Sequence, residues 1–277
     1  MMSDPQHTSP AADAPAWRLV IPSCDAYNDA WPFFFHFLFR YWPDVPTPVY
    51  LISNFTTFND PRVQTITVGE DRQWAANVRV GLGRVPCDRV LVVLDDFFPN
   101  RPVDHARIVE FCAQATALDA KYLGLDQFAK SNPPVPGTCF SHVTPETNCV
   151  GLNVTFWQKS HLSEVCEPGL NIWAAERRLK SLAMQEPKAH FYLGPGAPTV
   201  ITYVESIKGL FWKPPTIEFL KQHNLQPDFW RRPCPPQGDD VFSRLFRSLQ
   251  KQRMRLTSRF HSLTGARFRP RVIEPLK

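Results

Sequence analysis

The chain has 277 residues, 43% hydrophobic and 21% charged, so it carries enough apolar material for a sizeable core and is not a mostly disordered chain. No run reaches the ~18 apolar residues of a membrane span, and the longest apolar block, Trp31 to Phe39, is short and contains His36. The net charge of +5 is uneven: positions 241–277 hold ten Lys/Arg against Glu274, a balance of +9, while the rest of the chain carries −4. A polyanionic partner is therefore expected at the tail.

The polar start, MMSDPQHTSPAADAPA, has neither the basic opening nor the apolar stretch of a secretory leader. The seven cysteines contain no C-x-x-C pair, which argues against zinc-site spacing and a disulfide framework. The expected setting is reduced and cytoplasmic. The expected organisation is a disordered segment 1–16, one folded domain 17–235 and a basic tail 236–277.

In chain order, Trp17 to Pro22 predicts a first strand, followed by the polar turn Ser23 to Asp29 with Asn28 or Asp29 as a helix cap. The next helix, about Ala30 to Tyr41, is apolar nearly all round and predicts burial; Pro43 and Pro46 stop it. Pro48 to Ser53 and Arg62 to Val68 predict two more strands, and Asp71 to Leu82 a helix with a glycine exit at Gly81 and Gly83. Arg89 to Leu94 is a continuous apolar, β-branched run, the pattern of a central strand covered on both faces. Further expectations are a helix over Val103 to Leu118 and a strand over Lys121 to Leu125. Short strands follow near Thr138 to Val143 and Cys149 to Phe156, then helices near Gln158 to Cys166 and Asn171 to Met184. A hairpin-like pair near Val200 to Glu205 and Ile207 to Phe211 ends the body. Strand–helix alternation over the first half predicts an α/β fold with a mostly parallel, Rossmann-like sheet flanked by helices.

The main chemical signal is RVLVVLDDFF, residues 89–98. A central strand delivers two adjacent carboxylates, Asp95 and Asp96, to its C-terminal end, the edge where open α/β sheets bind ligands. Adjacent acids repel unless a cation joins them, and Mg²⁺ or Mn²⁺ needs only one or two protein carboxylates beside a substrate phosphate. The same dipeptide also suits a turn after a strand. Asp25 and Tyr27 fall at the same edge after the first strand, where a carboxylate and a phenol suit a nucleoside, and an Asx turn equally explains Asp25. Gly69 to Trp74 opens a helix, so Arg72 and backbone donors suit a diphosphate or sugar and Trp74 a ring; the alternative is a helix cap with Trp74 in the core. Trp173 and Glu176 lie three apart on one helical face, an arrangement that suits a base beside an aromatic wall or an ordinary helix with Glu176 paired to Arg177 or Lys180.

These pieces in this order resemble a GT-A-type bacterial glycosyltransferase of the capsule, exopolysaccharide or lipopolysaccharide kind. The residues that carry the resemblance are SCDAYNDAW, FRYWPDVPTPVYLISN, GEDRQWAANVRVGL, VLVVLDDFF, LNVTFWQKSHLSEV, NIWAAE and YVESIKG, about 200 of 277 residues from Trp17 to about Lys213. The resemblance implies a nucleotide-sugar donor, with Asp95 and Asp96 at the family's metal-binding motif and Asp25 facing the nucleoside. It also implies Trp74 and Arg79 along the donor cleft and Glu176 as the acceptor-side base of an inverting enzyme, next to Trp173. The acceptor would be a saccharide or a lipid-linked glycan. The motif here is Asp-Asp-Phe rather than Asp-x-Asp, and His190 is the remaining candidate for a further metal ligand.

In the tail, Phe242, Leu249, Leu256 and Leu263 are seven apart, with Leu245, Phe246 and Phe260 beside them and basic residues filling much of the rest. This predicts a basic amphipathic helix, and residues 241–263 then suit an anionic membrane surface at the inner face. A helix docked on the body, or a solvated tail, gives the same pattern. Nucleic acid is not expected, because no aromatic residues form a stacking platform. A non-catalytic, transferase-like scaffold at the membrane is the alternative reading of the whole chain.

Overall fold

The structure is a computed structural model that describes residues 17–127, 132, 134–145, 150–236, 244–245, 248–249, 252 and 270–276. Its strands are β1 (Trp17–Pro22), β2 (Val49–Ser53), β3 (Thr57–Phe58), β4 (Val63–Thr67), β5 (Arg89–Val93), β6 (Phe97–Pro99), β7 (Tyr122–Gln127), β8 (Phe140–His142), β9 (Val154–Gln158), β10 (His190–Leu193), β11 (Tyr203–Glu205), β12 (Ile207–Lys208), β13 (Phe211–Trp212) and β14 (Val272–Ile273). Its helices are α1 (Trp31–Tyr41), α2 (Trp74–Leu82), α3 (His105–Ala117), α4 (Lys159–Val165), α5 (Ile172–Gln185) and α6 (Pro214–Gln222).

The α/β expectation holds. Eight strands form one sheet in the order β4-β2-β1-β5-β9-β7-β10-β8. Six of them run the same way; β9 is inserted antiparallel between β5 and β7, and β8 is an antiparallel edge. Alternate side chains of each strand enter two cores, as the period of two requires. Leu19, Ile21, Leu91 and Val93 pack with the aromatic residues of α1 and with α3. Val20, Ile52, Val90 and Val92 pack with α2, α4 and α5. Helix α1 buries Trp31, Phe33, Phe34, Phe35, Phe37 and Leu38, consistent with its all-round apolar sequence.

Three local expectations change. The pair expected near Val200 to Glu205 and Ile207 to Phe211 is not one hairpin: β11 pairs with β6, and β12 pairs with β13. The backbone turn at Ser206 is taken up instead by Asp96, whose carbonyl accepts both the Ser206 amide at 2.7 Å and its hydroxyl at 2.6 Å. Neither Asn28 nor Asp29 caps α1; the N-cap is Ala30, without a side-chain cap. Helix α2 starts at Trp74, because Asp71 and Asn77 close a side-chain network over residues 71–73.

From the tail, Val272–Ile273 add to β3 as a parallel strand, and the Asn59 amide donates to Glu274 at 2.9 and 3.2 Å. The described residues between 244 and 252 are helical, with Leu245 and Leu249 each 55% exposed. The rest of the expected helix 241–263, and segment 1–16, lie outside the described residues. Among the described residues, no helix is long and apolar enough to cross a membrane.

Candidate functional site

The C-terminal edge of β1, β2 and β5 is where the chemistry converges. Asp95 and Asp96 follow β5. Asp95 is buried, and its carboxylate accepts the Ser23 hydroxyl, which in turn accepts the Trp31 indole N–H at 2.8 Å. Burial, and next the charge of Asp96, push the Asp95 carboxyl above the ordinary carboxylate range, against the Ser23 hydrogen bond and the Arg232 charge. Asp96 is also raised, by burial and by Glu205, with Arg232 and Lys213 acting the other way. Two neighbouring carboxyls held in this way form a site that a cation would relieve.

Asp25 sits beneath the loop after β2. Its carboxylate accepts the backbone amides of Asn54, Phe55 and Thr56 at 3.1 to 3.2 Å, and its own amide donates to Asn54 Oδ1 at 3.1 Å. Asn54 then donates to the Gly69 carbonyl at 3.0 Å, so the loops after β1, β2 and β4 are laced together. Asp25 thus shapes the floor of the edge through its backbone partners. The Cys24 thiol beside it is pushed up to about 12 by burial and then by Asp95, with Asp71 and Asp25 adding to the effect. Tyr27 faces the acid pair: burial and the charges of Asp95 and Asp96 raise its hydroxyl, which donates to the Gly209 carbonyl at 3.1 Å.

Two arginines absent from the sequence-based site close this edge. Arg232 is buried and grips the Asp29 carboxylate through Nε and Nη2, both at 2.9 Å, and donates to the Ala26 carbonyl at 2.8 Å. Its guanidinium lies 4.7 Å from the Tyr27 ring centre and 5.7 Å from that of Trp212. Arg231 donates to Asn28 Oδ1 and to the Asp25 carbonyl. Glu205 and Lys213 form an ion pair beside Asp96. At the end of β7, Asp126 accepts the Tyr203 hydroxyl at 2.8 Å, and the Tyr203 ring stacks on Phe97 at 4.5 Å; burial raises the Asp126 carboxyl. The only sequence signals for these groups were the basic pair RR after FW and the motif YVESIKG.

The expected site residues therefore separate into groups. Asp25, Tyr27, Asp95 and Asp96 share one edge. Arg72 is exposed in the loop beside Asp71, and Trp74 packs, half-buried, against the core under α2. Arg79 is exposed more than a turn along α2, where its charge acts on Cys166 at the end of α4. Trp173 is 69% exposed on the first turn of α5, and Glu176 lies 3.7 Å from Lys180 on the same helix. The N-terminus of α5 abuts that of α2 through the Ala75 amide and the Leu170 carbonyl, 3.1 Å apart.

His190 starts β10, at the sheet edge opposite the acid pair, and is not part of this site. Its Nε2 lies 2.8 Å from His161 Nε2, and its Nδ1 lies 2.8 Å from the Glu186 carbonyl. Among the described residues, no three or more His, Cys, Asp or Glu side chains converge as a metal cage. A divalent cation at Asp95 and Asp96 would fit as a hard ion on one or two carboxylates, completed by phosphate oxygens and water.

No family model matches the sequence, and no curated protein matches it. Among solved structures, the chain is similar to S. aureus TarS 1–349 in complex with UDP, at 12% identity and a TM-score of 0.45, over 65% of this chain and 58% of that one. It is similar to a Drosophila galactosyltransferase 7 mutant in complex with manganese, UDP-Gal and xylobiose, at 12% identity and a TM-score of 0.33, over 70% and 75%. A third is the bifunctional IspDF of Campylobacter jejuni, at 9% identity and a TM-score of 0.37, over 67% and 52%. The chain thus spans little more than half of the TarS structure. All three are distant resemblances of fold.

Proposed function

We propose that the chain is a glycosyltransferase that moves a sugar from a nucleotide-sugar donor to a saccharide or lipid-linked acceptor in surface polysaccharide synthesis. The observation that supports this reading most is the Asp95–Asp96 pair, Asp95 buried and Asp96 half-buried, at the end of a central parallel strand, flanked by the laced loops after β1 and β2. In this reading the edge around Asp25, Tyr27 and Asp95 takes the nucleoside diphosphate, with Arg72, Trp74 and Arg79 along the donor side.

Asp95 and Asp96 would hold Mn²⁺ or Mg²⁺, which when bound offsets the charge of the leaving diphosphate. The work of the chain's own residues is positional. Ser23 and Trp31 fix the Asp95 carboxylate, and the Arg232–Asp29 pair fixes the turn that carries Tyr27. Glu176 is the proposed acceptor-side base of an inverting transfer; its ion pair with Lys180 opens when it takes the proton of the attacking hydroxyl. Trp173, exposed beside it, is the proposed acceptor platform. Residues 17–235 are the proposed catalytic unit and 236–277 its basic tail, which places the enzyme peripherally at the cytoplasmic face of a membrane.

The test is release of nucleoside diphosphate from a panel of nucleotide sugars, with and without a membrane lipid extract as acceptor. The expected result is turnover of one donor, lost at least 100-fold in Asp96→Asn, the scale on which electrostatic groups act. Absence of turnover with every donor, or full turnover in both Asp95→Asn and Asp96→Asn, would overturn the proposal.

A further inference from the structure

A second carboxylate stands on the edge that carries the acid pair. Strands β5 and β7 run the same way with β9 between them, so Asp126, near the end of β7, lies two strand spacings, about 10 Å, from the end of β5. Strand β7 is bulged there: Gly124 lies opposite Tyr192 of β10 but Gln127 opposite Leu193, which leaves Leu125 and Asp126 as extra residues. A bulge re-aims the side chains it carries, and bulges recur beside active sites. Asp126 is turned to β11, where its carboxylate accepts the Tyr203 hydroxyl at 2.8 Å. Asn153, just before β9, hydrogen-bonds both groups.

The pair is fixed from the acidic motif itself. Phe97 follows Asp96 directly, and the Tyr203 ring stacks on it with centroids 4.5 Å apart. In the β6–β11 register Glu205 faces Phe97, and its charge acts on both Asp96 and Tyr203. Asp126, Asn153 and Tyr203 are each half-buried, so the group lines a surface rather than filling a core. Asp29 pairs with Arg232 and Glu205 with Lys213, whereas among the described residues no Lys or Arg pairs with Asp126. An ionised carboxylate offers about four lone-pair sites, so Asp126 keeps acceptor capacity for further hydroxyls. With no cation beside it, it also repels any second anion brought into contact.

We propose that Asp126, locked by Tyr203, forms the acceptor-sugar subsite: it accepts a hydroxyl hydrogen bond from the acceptor and selects a neutral sugar over one carrying a carboxylate. The proposal rests on the transferase reading and narrows its acceptor class to a glycan whose receiving unit is uncharged. Asp126 orients that unit, while the proton of the attacking hydroxyl goes to the base already assigned, Glu176. Tyr203 is a positioning residue, because it acts through the Asp126 carboxylate.

The experiment uses the full chain, the nucleotide sugar it turns over, and matched acceptor probes: p-nitrophenyl glucoside against glucuronide, and galactoside against galacturonide. Release of nucleoside diphosphate is followed as a function of probe concentration. In wild type a neutral glycoside is expected to accelerate release, with kcat/KM at least tenfold above that of its uronide partner. Asp126→Asn keeps the shape and the Tyr203 bond but removes the charge. It is expected to raise the KM for the neutral probe about 10- to 100-fold, the scale of a hydrogen bond to a charged group, and to narrow the neutral-to-uronide ratio. Tyr203→Phe is expected to raise the same KM and to leave the ratio in favour of the neutral probe, because the charge stays. Melting temperatures of the three proteins separate these effects from loss of fold. An unchanged KM and ratio in Asp126→Asn, or acceleration by no neutral glycoside in a wild type that turns over donor, would overturn the subsite and leave the transferase reading standing. A wild type that turns over no donor at all would overturn the transferase reading, and the subsite with it.

Discussion

Replacing Arg232 with alanine removes one half of a buried ion pair. Arg232 and Asp29 are both almost wholly buried, and they share two hydrogen bonds of 2.9 Å. The substitution leaves the Asp29 carboxylate, among the described residues, with Arg231 as its remaining ion-pair partner, at 3.7 Å. It also frees the Ala26 carbonyl and uncovers the faces of Tyr27 and Trp212. Breaking a buried pair in this way costs about 3–5 kcal/mol, which for a chain of this size lowers the melting temperature by roughly 6–20 °C. Urea denaturation of Arg232→Ala, Asp29→Leu and the variant Arg232→Met/Asp29→Leu reads the cost directly. The double variant is expected to recover most of the loss, because it leaves no unpaired charge. A loss below about 1 kcal/mol in Arg232→Ala, or no recovery in the double variant, would refute the clamp.

Two further outcomes follow from the packing and the buried imidazoles. The Nδ1 of His190 faces a carbonyl that can only accept, so it carries the proton, and Nε2 must accept from His161; a protonated His190 loses that bond. Burial accordingly lowers His190 from 6.5 to about 4. A group depressed in the folded state stabilises above its unfolded value and loses that stability as pH falls through the folded one. Between pH 7 and 4.5, urea titrations should therefore show a loss of about 2–3 kcal/mol from this group, absent in His190→Phe; an equal loss in both proteins would contradict it. At Gly81, an added Cβ would meet Ile52 Cδ1 at 2.5 Å and Cγ1 at 2.7 Å. Gly81→Ala is expected to cost about 1–3 kcal/mol by overpacking despite the better helix former, and Ile52→Val in that background to relieve part of it. A more stable Gly81→Ala would show that the sheet and α2 move apart freely.

The central strands were legible because parallel strands buried on both faces are continuous apolar runs, as in Trp17–Pro22 and Arg89–Val93. Strands β3, β6 and β14 were not, since two or three residues have no period to read. Helix α6 was hidden behind Pro214 and Pro215, which its first turn tolerates because those positions lack intrahelical partners. Alternation could identify the segment at Val200 to Glu205 but not its partner, which is β6, about a hundred residues earlier. The same distance problem governs the site. Asp95 and Asp96 announce themselves by adjacency on a strand end, whereas Arg232 reaches Asp29 across 203 positions. Asn28 and Asp29 carry the cap chemistry that the sequence pattern predicts, but that chemistry is spent on arginines that only the tertiary fold supplies.

The claim that the Asp95–Asp96 edge binds a metal–nucleotide pair is tested most directly by a thermal-shift series. It uses nucleoside diphosphates with Mn²⁺, nucleoside diphosphates without it, and Mn²⁺ alone, on wild type and Asp96→Asn. Ligand at about 100 times its Kd stabilises the native state by about 2.7 kcal/mol, or roughly 5–10 °C here. The account predicts such a shift for one nucleotide family, dependent on Mn²⁺ and lost in Asp96→Asn. No shift with any nucleotide, or the same shift in the variant, would contradict it.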